Sequence, residues 1–354
     1  LSGATVIGDY AFADCRSLSS VTTTDGLKEI GDSAFADCEI LTGIDIPGGL
    51  DRLGSSAFMN CKGLTSISIP YAISIVSPNA FYGCVGLKNV TFSQSLIPSG
   101  TTSFVYGSMV RTIGGGAFAG CSGLETVSLS DGISAINGSA FAGCEKLNNL
   151  TLPADLKRIG SDAFENCASI TYLLIPYGVT TIGDRAFRNC TKLEMPSLPA
   201  SVVAVGEYAF QNCVSIREFH CTGSSLSFGT RAFDGCASLE SILLSNGVVG
   251  MGSRVFANCD HLTVYTSYES APAQWASDWN PDRPVFWKCT VSSVSLANLE
   301  FSYVISFPVY SGMLVTDPET ITNSTAVNGI SAPFRSGYMF AGWYTNADCT
   351  GQAY

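Results

Sequence analysis

Fourteen cysteines and two histidines are the residues of this 354-residue chain with the plainest capacity for chemistry. Eleven of the cysteines stand in register: Cys15, Cys38, Cys61 and Cys84, then Cys121, Cys144, Cys167, Cys190, Cys213, Cys236 and Cys259. Every step is 23 residues except Cys84 to Cys121, where 37 is 23 plus a 14-residue insertion. Metal sites want convergent Cys/His pairs such as Cys-x-x-Cys, and no such pair occurs. Disulfides need side chains that turn towards each other, whereas residues in register on neighbouring coils point the same way. The column therefore predicts small buried hydrophobes rather than ligands or bridges. Cys221 falls 23 residues after Leu198, an inward slot, and is expected in the core. Cys289 and Cys349 lie outside the repeat, and their state is open.

Acid–base chemistry has little to draw on. His220 falls 23 residues after Ser197 in an outward slot and is expected to face solvent; His261 stands near the end of the repeats. Hydroxyls abound, but no Gly-x-Ser-x-Gly turn and no third orienting group accompanies them, so no catalytic site is expected. Gly114-Gly115-Gly116 fills an ordinary repeat slot rather than a phosphate cradle. Asp278-x-Asn280-x-Asp282 starts like a calcium loop, yet Arg283 replaces the turn glycine and no closing Glu follows. No cofactor is implied.

The elements that carry these residues follow from the same period. Phe stands three positions before each column cysteine, from Phe12 to Phe256, and Ala precedes that Phe everywhere except at Val255. Leu or Ile stands three positions after, as at Leu18, Leu41, Ile170 and Leu262. Alternation then follows, as in Ile67-Ser68-Ile69 and Val127-Ser128-Leu129, the mark of a strand with one buried face. Pro closes many of these strands, at Pro47, Pro70, Pro153, Pro176 and Pro199, where a missing N–H ends ladder pairing. Around Ala-Phe, cap residues (Gly31, Ser77, Asn137, Gly160) and Asp, Asn or Gly before every cysteine predict one helical turn closed by a left-handed residue. The expected fold is an α/β-type solenoid, a leucine-rich-repeat array of about eleven 23-residue coils with one parallel β-sheet. It spans 1–264; a Trp-rich segment at 265–290 caps it, and short β-like runs predict a small, mainly-β module at 291–354.

The unit reads I-G-x-x-A-F-x-(D/N/G)-C-x-x-L-x-x-(V/I)-x-(I/L)-P-x-x-(V/L)-x-x. From Val6 to Tyr265 it resembles the BspA-like leucine-rich repeats of bacterial and protist surface proteins. The last segment, Gly337-Tyr338-Met339-Phe340-Ala341-Gly342-Trp343-Tyr344-Thr345, is similar to the G-Y-x-F-x-G-W-Y-T signature of the internalin B-repeat (Listeria–Bacteroides repeat) family. That second resemblance implies a partial extracellular module of the kind that serves as a stalk. Together they imply an extracellular location, on the cell surface or secreted.

Composition narrows the partners. Apolar residues make up 46% of the chain and charged residues only 13%, with a net charge of −11 and no run of Lys or Arg. A phosphate-backbone partner needs clustered positive charge, so nucleic acid is excluded. No apolar stretch reaches the length of a membrane span, so membrane insertion is not expected. No signal peptide is visible; Leu1 falls partway into a repeat and Tyr354 partway into a motif, as in a piece of a longer chain, so that says nothing of the compartment.

Binding is expected on the outward strand slots. Early coils offer small polar pairs: Ser20/Thr22, Gly43/Asp45, Ser66/Ser68, Asn89/Thr91, Thr126/Ser128 and Asn149/Thr151. Later coils offer Tyr172/Leu174, Met195/Ser197, Glu218/His220 and Ser241/Leu243, a change of character that marks a recognition patch. The candidate ligand-binding residues are thus Tyr172, Leu174, Met195, Glu218, His220 and Leu243. The insertion between Phe92 and Val110, with Leu96, Ile97, Phe104 and Tyr106, is a second candidate contact. The expected function is a non-catalytic surface scaffold that binds a protein on a host or neighbouring cell. A glycan or cell-wall ligand is the alternative, with Tyr172 as the one sheet aromatic available to stack on a sugar.

Overall fold

The computed structural model describes residues 1–70, 72–92, 111–194, 197–221, 223–280, 283–294, 300–306 and 321–322. Its spine is the phenylalanine column. From Phe12 to Phe256, rings of successive coils stack with centroids 5.1 to 5.7 Å apart. Nearly parallel planes at that distance are offset stacks, the arrangement that aromatic quadrupoles favour. The insertion before coil five does not interrupt it: Phe81 and Phe118 lie 5.2 Å apart with planes 4° from parallel. Phe58, Phe141 and Phe233 are all fully buried in this one column, so a sequence spacing of 23 is vertical alignment in space. No coil alone could bury such a ring; the stack buries each between its neighbours.

Two strand lines wrap the spine where one had been expected. The front line holds a four-stranded parallel sheet (Ser66–Ile69, Asn89–Phe92, Thr126–Ser128, Asn149–Thr151). Further along the stack it holds a five-stranded one (Ser197–Leu198, Glu218–Cys221, Ser241–Leu244, Thr263–Thr266, Val285–Phe286). The back line, built from the Ile-Gly slot, gives a three-stranded sheet from Val6–Ile7 to Arg52–Leu53 and an eight-stranded sheet from Ile75–Val76 to Val248–Met251. Front strands alternate exposed and buried residues, as in Ser66–Ile69, while the short back strands bury the Ile that precedes Gly. That glycine is required by crowding: a Cβ on Gly160 would sit 2.6 Å from the backbone of Asn137 and Gly138 in the coil before.

The third side corrects the α/β assignment, because no helix occurs among the described residues. The expected left-handed residue does precede every column cysteine, from Asp14 (φ 57°) to Asn258 (φ 57°). A second left-handed residue, unforeseen, lies four positions earlier in each coil, as at Tyr10, Ser33, Arg185 and Arg254. Two such reversals make the segment a run of tight turns. Ala11, Ala13 and Cys15 donate to carbonyls three residues back, while Tyr10, Phe12 and Asp14 donate along the axis to Asp32, Ala34 and Ala36 of the next coil. A helix would spend every N–H inside its own turn; here half of them join the coils. The Phe N–H to Ala carbonyl bond recurs at 2.8 Å from Phe12 to Phe210.

The stack closes on tryptophan. Trp275 and Trp279 are buried, Trp279 packs edge-on against Phe256 with centroids 6.1 Å apart, and Trp275 Nε1 donates to the Val248 carbonyl at 3.2 Å. Further on, Thr290–Val294 pairs antiparallel with Glu300–Ser306, and that strand with Ile321–Thr322. The rest of 291–354, including Cys349, and the insertion residues Leu96, Ile97, Phe104 and Tyr106, lie outside the described residues.

Candidate functional site

The cysteine column does structural chemistry. Cys38 and every later column member to Cys259 are fully buried, and Cys15, in the first coil, is exposed. Each buried thiol donates to the carbonyl of the Phe one coil earlier, from Cys38 to Phe12 through Cys259 to Phe233, at 3.0 to 3.2 Å. That carbonyl also accepts the backbone N–H of its own coil's cysteine, so both lone pairs are used. Sequence reading saw the small buried hydrophobe and missed the donor. Burial drives the thiols up: Cys38 to about 11 and Cys121 to about 12, with Cys84 and Cys144 raised well above the ordinary range. Neutral, enclosed thiols of this kind are poor nucleophiles. Cys221 is core, as its slot predicts, and Cys289 is buried with its thiol on the Phe286 carbonyl at 3.3 Å.

The remaining chemical candidates are occupied by the scaffold. Gly116 takes the second left-handed position of its coil, with φ 64°. Asp278 accepts from Ser253 Oγ at 2.7 Å and pairs with Arg254 at 3.6 Å, and Asn280 donates to the Arg283 carbonyl. Asp282 lies outside the described residues.

On the front face, the two sheets stop on either side of coil seven. Residues 171–176 form no strand, although the back sheet runs through the same coils without a break, with Arg158 paired to both Ala135 and Thr181. Here Tyr172 is 55% and Leu174 67% exposed, and Tyr177, just after Pro176, is 72% exposed. They line an open groove of about 640 Å³ with Leu150, Thr151, Leu152, Ala154 and Pro176. Apart from the tyrosine phenols, no ionisable side chain lines it.

The sequence-derived set therefore divides. Tyr172 and Leu174 come together in the groove. Met195 lies outside the described residues, and His220 is described only as backbone, between Ser197 and Leu243 in the parallel register. Glu218 is half-buried, paired in register with Ser241. Leu243, also half-buried, is three coils from the groove and in register with Tyr265, whose ring stacks on Phe286 at 5.5 Å and 14°. Burial raises the Tyr265 phenol, and Phe286 is exposed. Tyr265 was missed because coil eleven is one residue short, Ser241 pairing with Thr263 at a step of 22, and Phe286 because it lies in the Trp-rich segment beyond the last repeat. A count of 23 from Ser241 and Ile242 would turn Val264 outward and Tyr265 inward, the reverse of the register found. Tyr177 was missed because it stands in the loop after the strand, where the alternation no longer assigns a face.

The BspA type leucine rich repeat region model matches in six copies over 2–109, 99–213 and 157–271, and the Listeria-Bacteroides repeat domain model matches 303–354. No curated protein matches the chain. Among solved structures, a leucine-rich repeat protein from Bacteroides ovatus is similar at 24% identity and a TM-score of 0.47, covering 81% of this chain and 82% of that one. T. pallidum leucine-rich repeat protein is similar at 26% identity and a TM-score of 0.42, covering 56% and 82%. The pneumococcal vaccine antigen PcpA is similar at 18% identity and a TM-score of 0.45, covering 79% and 84%. The family model spans the whole array, and its repeat is the one that builds the Phe column, the thiol ladder and the two strand lines: this chain belongs to the BspA type leucine-rich repeat family, followed by a Listeria–Bacteroides repeat domain.

Proposed function

We propose that this chain is a non-catalytic, extracellular binding scaffold, on the cell surface or secreted, which mediates adhesion by holding a protein of a host or neighbouring cell. The observation that carries the reading is the groove at coil seven: three large apolar side chains, each more than half exposed, line one open surface together. Tyrosine-rich, uncharged surface of this sort suits protein recognition, because each ring supplies contact area at little entropic cost. Met195, Glu218, His220 and Leu243 extend the candidate surface along the later coils, and Tyr265 with Phe286 would be its far end. No helix among the described residues is long and apolar enough to cross a membrane.

A glycan ligand is the second reading, favoured by the finding that Tyr172 has a companion, Tyr177, in the same groove. The test is a Tyr172→Ser/Leu174→Ser double variant compared with the parent in host-protein pulldown, cell adhesion and a glycan array. Loss of adhesion and protein capture with an unchanged melting temperature supports the protein-binding reading; loss of glycan signal alone supports the second. Unchanged adhesion rejects the groove as the site.

A further inference from the structure

We propose that the groove at coil seven takes an uncharged, proline-rich segment of a partner polypeptide in polyproline II form, lying along coil six against Tyr172, Leu174 and Tyr177. This deepens the reading above and rests on it.

The groove is a step in side-chain size and not an opening in the stack. Beneath it the coils are closed: Leu173 is 2% exposed, and Phe141 and Phe164 stack 5.4 Å apart. The depth comes from what stands outward. Coil six presents Thr151 and Ala154, short and exposed, whereas coil seven presents Tyr172, Leu174 and Tyr177, long and exposed. The outward slots of the three coils before are equally short, at Ser66/Ser68, Asn89/Thr91 and Thr126/Ser128. A ligand therefore meets a level floor and one tall wall.

The chemistry of that lining selects the ligand. It consists of three leucines, an alanine and a proline, with the hydroxyls of Thr151, Tyr172 and Tyr177. None of those hydroxyls makes a hydrogen bond among the described residues. The lining side chains include no carboxylate, carboxamide, guanidinium or ammonium group. A bound backbone must then bring carbonyls for the hydroxyls, without N–H groups that no carboxylate or carboxamide is there to receive. A helix fails the first condition, because its carbonyls are bonded within it. An extended strand fails the second, and the closed stack leaves it no edge to pair with. A sugar would stack on either ring, but its many hydroxyls would face the apolar side chains. A proline-rich segment meets both conditions: its prolines lack the N–H, its carbonyls are free, and it is extended before it binds. Uncharged, aromatic-walled grooves suit this conformation. It turns once in three residues at about 3.1 Å each, so every third residue lies on the wall.

The full chain is screened against two sets of N-acetylated, C-amidated decapeptides. One carries Pro-x-x-Pro-x-x-Pro, with random uncharged residues at x, and the other has Ala at the three fixed positions. Binding should be confined to the proline set, and the bound peptide should keep the circular dichroism of polyproline II. Replacing one wall-facing Pro of a selected peptide by Ala should weaken binding about fivefold or more, as an N–H is added and the preset shape is lost. Tyr172→Phe and Tyr177→Phe keep the rings; each should weaken binding about fivefold, the worth of one neutral hydrogen bond, at an unchanged melting temperature. Preference for the alanine set, a peptide bound as a helix, Phe variants that bind as tightly as the parent, or capture of cellohexaose in place of any peptide overturns the proposal. If Tyr172→Ser/Leu174→Ser abolishes cell adhesion while no peptide of either set binds, the polyproline ligand fails and the groove stands. If adhesion survives the double variant, the groove itself fails.

Discussion

Raising pH should unravel this array through its thiols. Eight of them (Cys61, Cys84, Cys121, Cys144, Cys190, Cys213, Cys221 and Cys236) are driven furthest up by burial, Cys121 to about 12, and Cys38 follows at about 11. In the unfolded chain the same thiols ionise near the ordinary value of 9.0. Above that pH the unfolded state has released protons that the folded state still holds, so unfolding becomes more favourable as pH rises. The protonated-state stabilisation is complete below about pH 9 and is lost between that value and the folded one. At pH 10 each thiol forfeits about 1.4 kcal/mol, and eight of them about 11 kcal/mol, comparable to the whole stability of an ordinary domain. Because coils are stabilised by their neighbours, ionisation at one boundary loosens the next. The assay is circular dichroism melting from pH 7.5 to 10.5 in a phosphine reductant, with parent and a Cys121→Ala/Cys144→Ala/Cys213→Ala variant. The variant should start less stable and lose melting temperature with pH about a third less steeply. A melting temperature that is flat to pH 10, or equal slopes in parent and variant, would refute the idea that these thiols are sealed. So would modification of the folded parent by a thiol reagent at the rate of an open cysteine.

Phe141→Ala removes a ring stacked on both sides and should cost about 3–5 kcal/mol in urea unfolding. Phe12→Ala, at a half-buried ring with one stacked neighbour, should cost clearly less. Asn189→Val should destabilise by about 1–3 kcal/mol, because φ of 62° suits no β-branched residue and the amide links Asn166 to Asn212; Asn189→Gly should keep the turn and lose only the side-chain bonds. Gly160→Ala should lower the melting temperature as a Cβ meets the preceding coil at 2.6 Å, a cost of about 1–3 kcal/mol.

What the sequence discloses here is periodic, and what it hides is aperiodic. A Phe, a Cys and a Leu at fixed offsets compel stacking, because only a stack buries them. Hence the core, the inward place of Cys221 and the left-handed residue before each cysteine could be read directly. The second left-handed position could not: Tyr10, Ser33, Asn79 and Arg185 share no residue type, since the turn is enforced by axial hydrogen bonds to the next coil rather than by local preference. That tertiary constraint is also why an Ala-Phe segment with good helix caps forms turns: a helix would withhold from the next coil the very N–H groups that join the stack. The site is legible in the same uneven way. Tyr172 and Leu174 announce themselves by breaking a run of Ser, Thr and Asn at outward slots. The missing front strand there has no signature, because residues of ordinary type fail to form it. Tyr265 is hidden by a single missing residue, which in a strand moves every side chain to the other face. In a repeat protein, then, structure is written in what recurs, and binding should be sought where the recurrence fails while the stack behind it holds. Coil seven meets both conditions: it forms no front strand, and its back pairing, phenylalanine stack and thiol bond are intact.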